Sequence, residues 1–171
     1  GPIEPQGPII EMSLPAEPPQ VTDAPGAAGG FAVIADETLR DIVVETEQVI
    51  ATFSNRGGVL KSWRLKGYRE ESGEPSEMVP VLDGQEAPLP FTLEVADEQL
   101  NAQLREALFR PSAASLLVGT APRSLVFEYE DSGGLQIRKE YRFDPQNEPF
   151  VVRFSASVRT STGAINPLVR W

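Results

Sequence analysis

Residues 125–158 read LVFEYEDSGGLQIRKEYRFDPQNEPFVVRFSASV, and the fold is decided here. Leu125, Phe127 and Tyr129 alternate with Val126, Glu128 and Glu130. After Asp131-Ser132-Gly133-Gly134 the alternation resumes, with Leu135, Ile137, Tyr141 and Phe143 set against Gln136, Arg138, Glu140 and Arg142. Lys139 is the one misfit on the apolar side. After Asp144-Pro145-Gln146-Asn147, Phe150, Val152, Phe154, Ala156 and Val158 oppose Val151, Arg153, Ser155, Ser157 and Arg159. Successive strand side chains point to opposite faces, so a period of two buries one face and wets the other. The Gly, Pro, Asn and Asp residues at the breaks supply the backbone angles of tight reversals. The stretch therefore predicts a three-stranded antiparallel meander. The fold class expected is mainly β, a twisted antiparallel sandwich with one short helix.

Working upstream, Ile42, Val44 and Thr46 alternate with Val43 and Glu45, and Val49, Ala51 and Phe53 with Ile50, Thr52 and Ser54. Asn55-Arg56-Gly57-Gly58 reads as a hairpin turn whose glycines take positive φ. It lacks the glycine spacing and the following helix of a phosphate cradle. The next strand is expected to place Val59, Lys61, Trp63 and Leu65 on one face and Leu60, Ser62 and Arg64 on the other. Short edge strands are predicted at 78–82 and 91–95, where neighbouring prolines disfavour central positions. A helix is predicted over 97–109, with Asp97 as N-cap, Leu100, Leu104 and Leu108 at helical spacing, and Pro111 ending it. Further strands are expected at 115–119 and, as one element, at 164–171.

Residues 1–40 read as a Pro/Gly-rich linker, extended or disordered, and 41–171 as the sandwich. Pro stands at 2, 5, 8, 15, 18, 19 and 25, with no Lys or Arg among the first thirty residues. Proline removes ladder donors and fixes φ. The cluster Ile9, Ile10, Met12 and Leu14 interrupts this composition; it reads as a chance apolar cluster in a linker, the alternative being a segment that docks on a sheet edge of its own or a neighbouring chain. The end on Trp171 reads as a cut within an element.

Composition narrows the chemistry. The chain of 171 residues has no cysteine and no histidine. It therefore has no thiolate nucleophile, no disulfide and no imidazole base or ligand. Its net charge of −10 argues against nucleic acid and against lying flat on a membrane. No apolar run approaches the ~20 residues of a spanning helix. Glu128 and Glu130 share a strand face about 7 Å apart, within reach of a two-carboxylate mechanism. Arg138 and Arg142 on the next strand make cross-strand ion pairing the expected reading instead. The acidic run Glu70-Glu71-Ser72-Gly73-Glu74 lacks the spacing of a calcium loop. No catalytic, cofactor-binding or metal-binding residue is assigned, and no cofactor is expected. Trp63, Tyr68, Phe91, Leu108 and Trp171 are the candidate partner contacts. Trp63, Tyr68 and Phe91 would otherwise serve the core.

Residues from about 41 to 171 resemble the large periplasmic domain of the YidC-type membrane protein insertases of Gram-negative bacteria. The resemblance rests on Ile42-Val43-Val44-Glu45-Thr46-Glu47, on Ile50-Ala51-Thr52-Phe53-Ser54-Asn55-Arg56-Gly57-Gly58, and on the strand from Val59 to Tyr68. Leu108-Phe109-Arg110-Pro111-Ser112, Leu125 to Tyr129, Lys139-Glu140-Tyr141-Arg142-Phe143 and Asn166-Pro167-Leu168-Val169-Arg170-Trp171 come next, in the family's order. It implies a supersandwich like that of galactose mutarotases, placed in the periplasm at the bacterial inner membrane. It also implies a non-enzymatic module of an insertase and chaperone. The partners it implies are Sec translocon components and nascent membrane proteins, and the membrane is met only through transmembrane helices absent from this sequence. It also implies that the domain continues with more strands, so that an exposed edge or face, or self-association that covers it, is expected. The competing expectation is a carbohydrate-binding sandwich without catalysis, using Trp63 or Trp171 as platform. Mutarotase chemistry itself needs a histidine that this chain lacks.

Overall fold

The computed structural model describes residues 33–79 and 88–170. Twelve strands and one helix succeed one another: β1 (Asp41–Glu45), β2 (Val49–Ser54), β3 (Val59–Arg69), β4 (Pro75–Glu77), β5 (Thr92–Glu94), α1 (Glu98–Glu106), β6 (Arg110–Pro111), β7 (Ser115–Leu117), β8 (Arg123–Glu130), β9 (Gln136–Phe143), β10 (Val152–Thr160), β11 (Gly163–Ile165) and β12 (Leu168–Arg170). They form one sheet ordered β4-β3-β2-β1-β7, a second ordered β11-β10-β9-β8-β6, and a ribbon of β5 with β12. All pairings are antiparallel except β1 with β7.

The two large sheets pack face to face. Ile42, Val44, Val49, Ala51, Phe53 and Leu60 of the first meet Leu125, Phe127, Ile137, Tyr141, Phe143 and Val158 of the second. The Phe53 ring touches Phe127, Tyr141 and Phe143, with its centroid 4.5 Å from that of Tyr141. Such pairs add a little to area burial through their quadrupoles. The predicted meander stands as β8, β9 and β10. Its first turn closes on Asp131, whose carboxylate accepts from the Gly133 and Leu135 amides at 2.9 and 3.0 Å.

Several expectations need correction. The β3 alternation is broken by a bulge: Thr52 pairs with Ser62 and Phe53 with Leu60, leaving Lys61 unopposed. An extra residue moves every later residue of the strand to the other face. Leu60 therefore joins Trp63 and Leu65 against the core, and Lys61 points to solvent beside Asp41. The helix starts as expected, with the Asp97 carboxylate accepting from the Gln99 and Leu100 amides. It stops at Glu106 rather than 109, because the next residues bond elsewhere: the Leu108 carbonyl accepts from Asp36 N–H and the Phe109 N–H donates to Asn55. The strand expected at 164–171 is two strands in different sheets, divided at Asn166-Pro167, since proline cannot donate to a continuing ladder. The strand expected at 78–82 is displaced: β4 lies just before it, and 80–82 fall outside the described residues. Phe150 lies ahead of β10 and is half exposed. The described chain is also tied in ahead of Asp41, because Ile34 exchanges backbone bonds with Glu130 at 3.0 and 2.8 Å.

Candidate interaction surface

The interior explains why the surface takes its shape. Gly57 and Gly58 both hold positive φ, +75° and +60°, where a side chain is strained. A Cβ on Gly58 would also stand 3.2 Å from the Phe127 ring. Two side chains from one face of β9 reach across the sandwich to this turn. Tyr141 Oη donates to the Gly58 carbonyl, and Lys139 Nζ donates to Gly57 O at 2.8 Å and to Phe91 O at 2.7 Å. The misfit in the alternation is thus a clasp. Its neighbour across the ladder is Ala156, which leaves it room, and its ammonium stands 5.7 Å from the centre of the Phe154 ring. No carboxylate pairs with Lys139 among the described residues. Burial brings its pKa down to about 7 and pushes Tyr141 well up.

The clasp fixes the lower ribbon. Phe91 has φ +72°, rare for a bulky residue. Its carbonyl accepts from Lys139 and its N–H donates to Arg170 O at 2.8 Å, so bonds on both sides hold the conformation. β5 comes directly after, and β12 pairs with it, reinforced by a bidentate Arg170–Glu94 pair at 2.7 and 2.9 Å.

Beside this ribbon runs β10, whose outer edge is left open along most of its length by the described residues. β11 covers only Val158, Arg159 and Thr160. Among the described residues, no strand or loop backbone bonds to residues 152–157 on that side. Side-chain burial obeys the same division. Val158, inside the covered part, is 1% exposed, whereas the inward-pointing Val152, Phe154 and Ala156 are only partly buried. Ahead of the strand, Phe150 and Val151 are 49% and 50% exposed. The solvent side of β10 carries Arg153, Ser155, Ser157 and Arg159, with no acid.

The predicted contact residues do not gather in one place. Trp63 is half buried and stacks on Phe143, with centroids 6.2 Å apart. Tyr68 is exposed farther along β3. Phe91 is buried, with its ring against Tyr141 and Phe154. Leu108 is half buried in a bridge to Arg56, and Trp171 lies outside the described residues. The acid pairing also differs from expectation. Arg138 is the register partner of Glu128, yet its guanidinium bonds Glu140 on its own strand at 3.0 Å, where the i, i+2 spacing puts both on one face. Those bonds, first that from Ser124 and then that from Arg138, hold the Glu140 carboxyl below its ordinary range.

Two buried polar side chains carry no mark in the sequence beyond a turn position and a helix position. Asn55 donates to Asp36 and to Thr38 O and accepts from Arg40 N–H, all at 2.8–3.0 Å. Asn101 bonds the Val95 backbone twice, once as acceptor and once as donor. Burial raises the Asp36 pKa, but bonds from Glu37, Thr38, Arg40 and Asn55 outweigh it and the net shift is downward. Glu77 repeats this, with burial opposed by bonds from Ser62, Trp63 and Val79 and by the Arg64 charge. Nothing in sequence periodicity marks either asparagine, because both serve partners outside their own turn or helix.

The dent between Trp63, Phe143, Glu148 and Val151 has no room for a small molecule. Among the described residues no group of acids is placed to hold a metal ion, and no helix is long and apolar enough to cross a membrane.

The profile of the YidC periplasmic domain matches residues 41–166. A membrane protein insertase YidC of Syntrophus aciditrophicus is 30% identical over 147 residues, covering 84% of this chain and 27% of that protein. One from Geobacter metallireducens is 33% identical over 126 residues, 72% of this chain and 23% of that protein. One from Pelobacter propionicus is 27% identical over 144 residues, 83% and 26% respectively. The chain thus spans about a quarter of the length of these relatives.

Proposed function

The chain belongs to the YidC periplasmic domain family, and from that premise we propose that it is a non-catalytic binding module on the periplasmic face of a bacterial inner-membrane protein insertase. In this reading it assists insertion and folding of membrane proteins by holding other polypeptides, Sec translocon components or emerging substrates, beside the membrane. The observation that carries the reading is the open edge of β10 with its half-covered apolar row. An unpaired pleated edge offers main-chain donors and acceptors to any extended chain. The polar interior supports the non-catalytic part. Lys139, Tyr141, Asn55, Asn101 and Glu77 are each occupied by bonds within the domain. The carbohydrate reading has less support, since one face of Trp63 is already taken by Phe143.

The test is deletion. Removing residues 41–171 from an insertase that carries this domain is expected to leave most membrane insertion intact and to reduce crosslinking to periplasmic partners. Full loss of insertion with a normally folded membrane core contradicts the auxiliary role.

A further inference from the structure

The eight residues ahead of β1 lie on the outside of the sandwich and are tied to it by hydrogen bonds. Among residues 33–40 none is buried, and the apolar core draws on none of them. Val33 is 67% exposed and Leu39 54%. At one end, Ile34 exchanges backbone bonds with Glu130 at the close of β8, and Asp36 N–H donates to Leu108 O at 2.9 Å. At the other end the contacts converge on the fully buried Asn55. Its side chain donates to Asp36 Oδ2 at 3.0 Å and to Thr38 O at 2.8 Å, and accepts from Arg40 N–H at 2.8 Å. We propose that residues 33–40 are a strap latched by Asp36 onto Asn55, which opens as one unit while the sandwich stays folded and so lengthens the link between residues 1–32 and β1. Eight released residues reach about 25–30 Å when extended. The strap goes beyond the binding-module reading and does not depend on it.

Asp36 gives the strap its shape. Its Oδ1 accepts from Glu37 N–H at 2.8 Å, from Thr38 N–H at 3.5 Å and from Arg40 Nη2 at 2.9 Å. Its Oδ2 takes the Asn55 amide and stands 2.8 Å from Arg40 Nε. An aspartate that bonds the backbone just ahead of it bends the chain, and this bend sets Thr38 O and Arg40 N–H against Asn55. Every partner of both oxygens is a donor. Asp36→Asn keeps the outline of the side chain but turns an NH2 group toward donors whichever way the amide is set. Asn55, by contrast, belongs to the sandwich. Its carbonyl accepts from Phe109 N–H at 2.8 Å, and the β1–β2 ladder begins at the next pair, Asp41 with Ser54. Opening the strap therefore breaks hydrogen bonds that water replaces and takes no residue out of the core. A segment with few buried apolar contacts opens locally, at a lower cost than global unfolding.

The test uses the full chain, which has no cysteine of its own. Val33→Cys and Ser132→Cys place two spin labels at exposed positions beside the Ile34–Glu130 bridge. Pulsed electron spin resonance is expected to give one short, narrow distance distribution. Adding Asp36→Asn is expected to make it long and broad, with amide exchange in β8 and β9 as slow as before. Arg40→Gln keeps the carboxylate and its bond to Asn55 and is expected to give a mixture of the two distributions. In the parent, the amides of Ile34, Asp36 and Arg40 should exchange about tenfold or more faster than those of β9, through local opening. If Asp36→Asn fails to fold, Arg40→Gln and the parent exchange rates still decide. A long distance in the parent, or a short one retained in Asp36→Asn, overturns the latch. Strap amides that exchange only as fast as those of β9, or a distance that lengthens only as β9 loses protection, overturn independent opening. Neither result touches the deletion test of the module, and failure of that test leaves the distances readable.

Discussion

β9 and β10 lie side by side with the same alternation of apolar and polar residues, yet only β9 is sealed. On β9, Ile137, Lys139, Tyr141 and Phe143 are all within 3% of full burial. Their ladder partners on β10, Val158, Ala156, Phe154 and Val152, reach that level only at Val158, where β11 lies alongside. A period of two decides which face a residue points to, but the neighbouring strand decides how deeply it is covered. Orientation is a local property of the chain, and coverage is a property of topology.

The largest expected effect tests this difference with matched residues. Phe143→Ala on β9 is expected to cost about 3–5 kcal/mol, the usual range for emptying a phenylalanine site in a packed core. Phe154→Ala on β10 should cost roughly half of that, because its ring already meets solvent and little new cavity forms. Urea unfolding of both variants checks the ratio. Equal losses would mean that β10 is as sealed as β9.

The next effect concerns Lys139, the charge inside the sealed strand. Its folded pKa is lowered to about 7 by burial, against ~10.4 for an unfolded lysine. Below pH 7 both states carry the charge, and the burial penalty stands in full. Between about 7 and 10 the unfolded chain binds the proton that the folded chain has released, so stability rises with pH. Lys139→Met removes this rise. The stability difference between the two proteins should shift by on the order of 4 kcal/mol from pH 7 to 10. Urea midpoints at pH 7, 8.5 and 10 give the measurement, and parallel pH profiles contradict the buried clasp.

Tyr141→Phe is the smallest change. It leaves the Gly58 carbonyl without its Tyr141 donor and is expected to cost about 1–3 kcal/mol. A melting temperature unchanged from the parent would show that the turn does not depend on β9.

Much of this fold is legible in the chain. The meander, the Asn55-Arg56-Gly57-Gly58 turn and the Asp97 cap all rest on local chemistry, which a sequence carries openly. The bulge at Lys61 is hidden because one unopposed residue changes no composition, yet it exchanges the faces of everything beyond it. The division at Asn166-Pro167 is visible as a proline but not as a change of sheet. Lys139 stands out as a misfit; its partners at Gly57 and Phe91 are distant in sequence and appear only once the sheets face each other. The place of the uncovered stretch on β10 depends on β11 pairing with three residues only, and strand coverage leaves no mark in a pattern of alternation.

Whether residues 152–157 form an uncovered edge decides the contrast between the two strands, and amide hydrogen exchange reads it out residue by residue. In an antiparallel edge strand every second N–H faces the partner and the others face water. Fast exchange is expected at alternate positions from 152 to 157, with slow exchange throughout β9 and across the stretch that β11 covers. Uniformly slow exchange from 152 to 160 in the protein alone would contradict it.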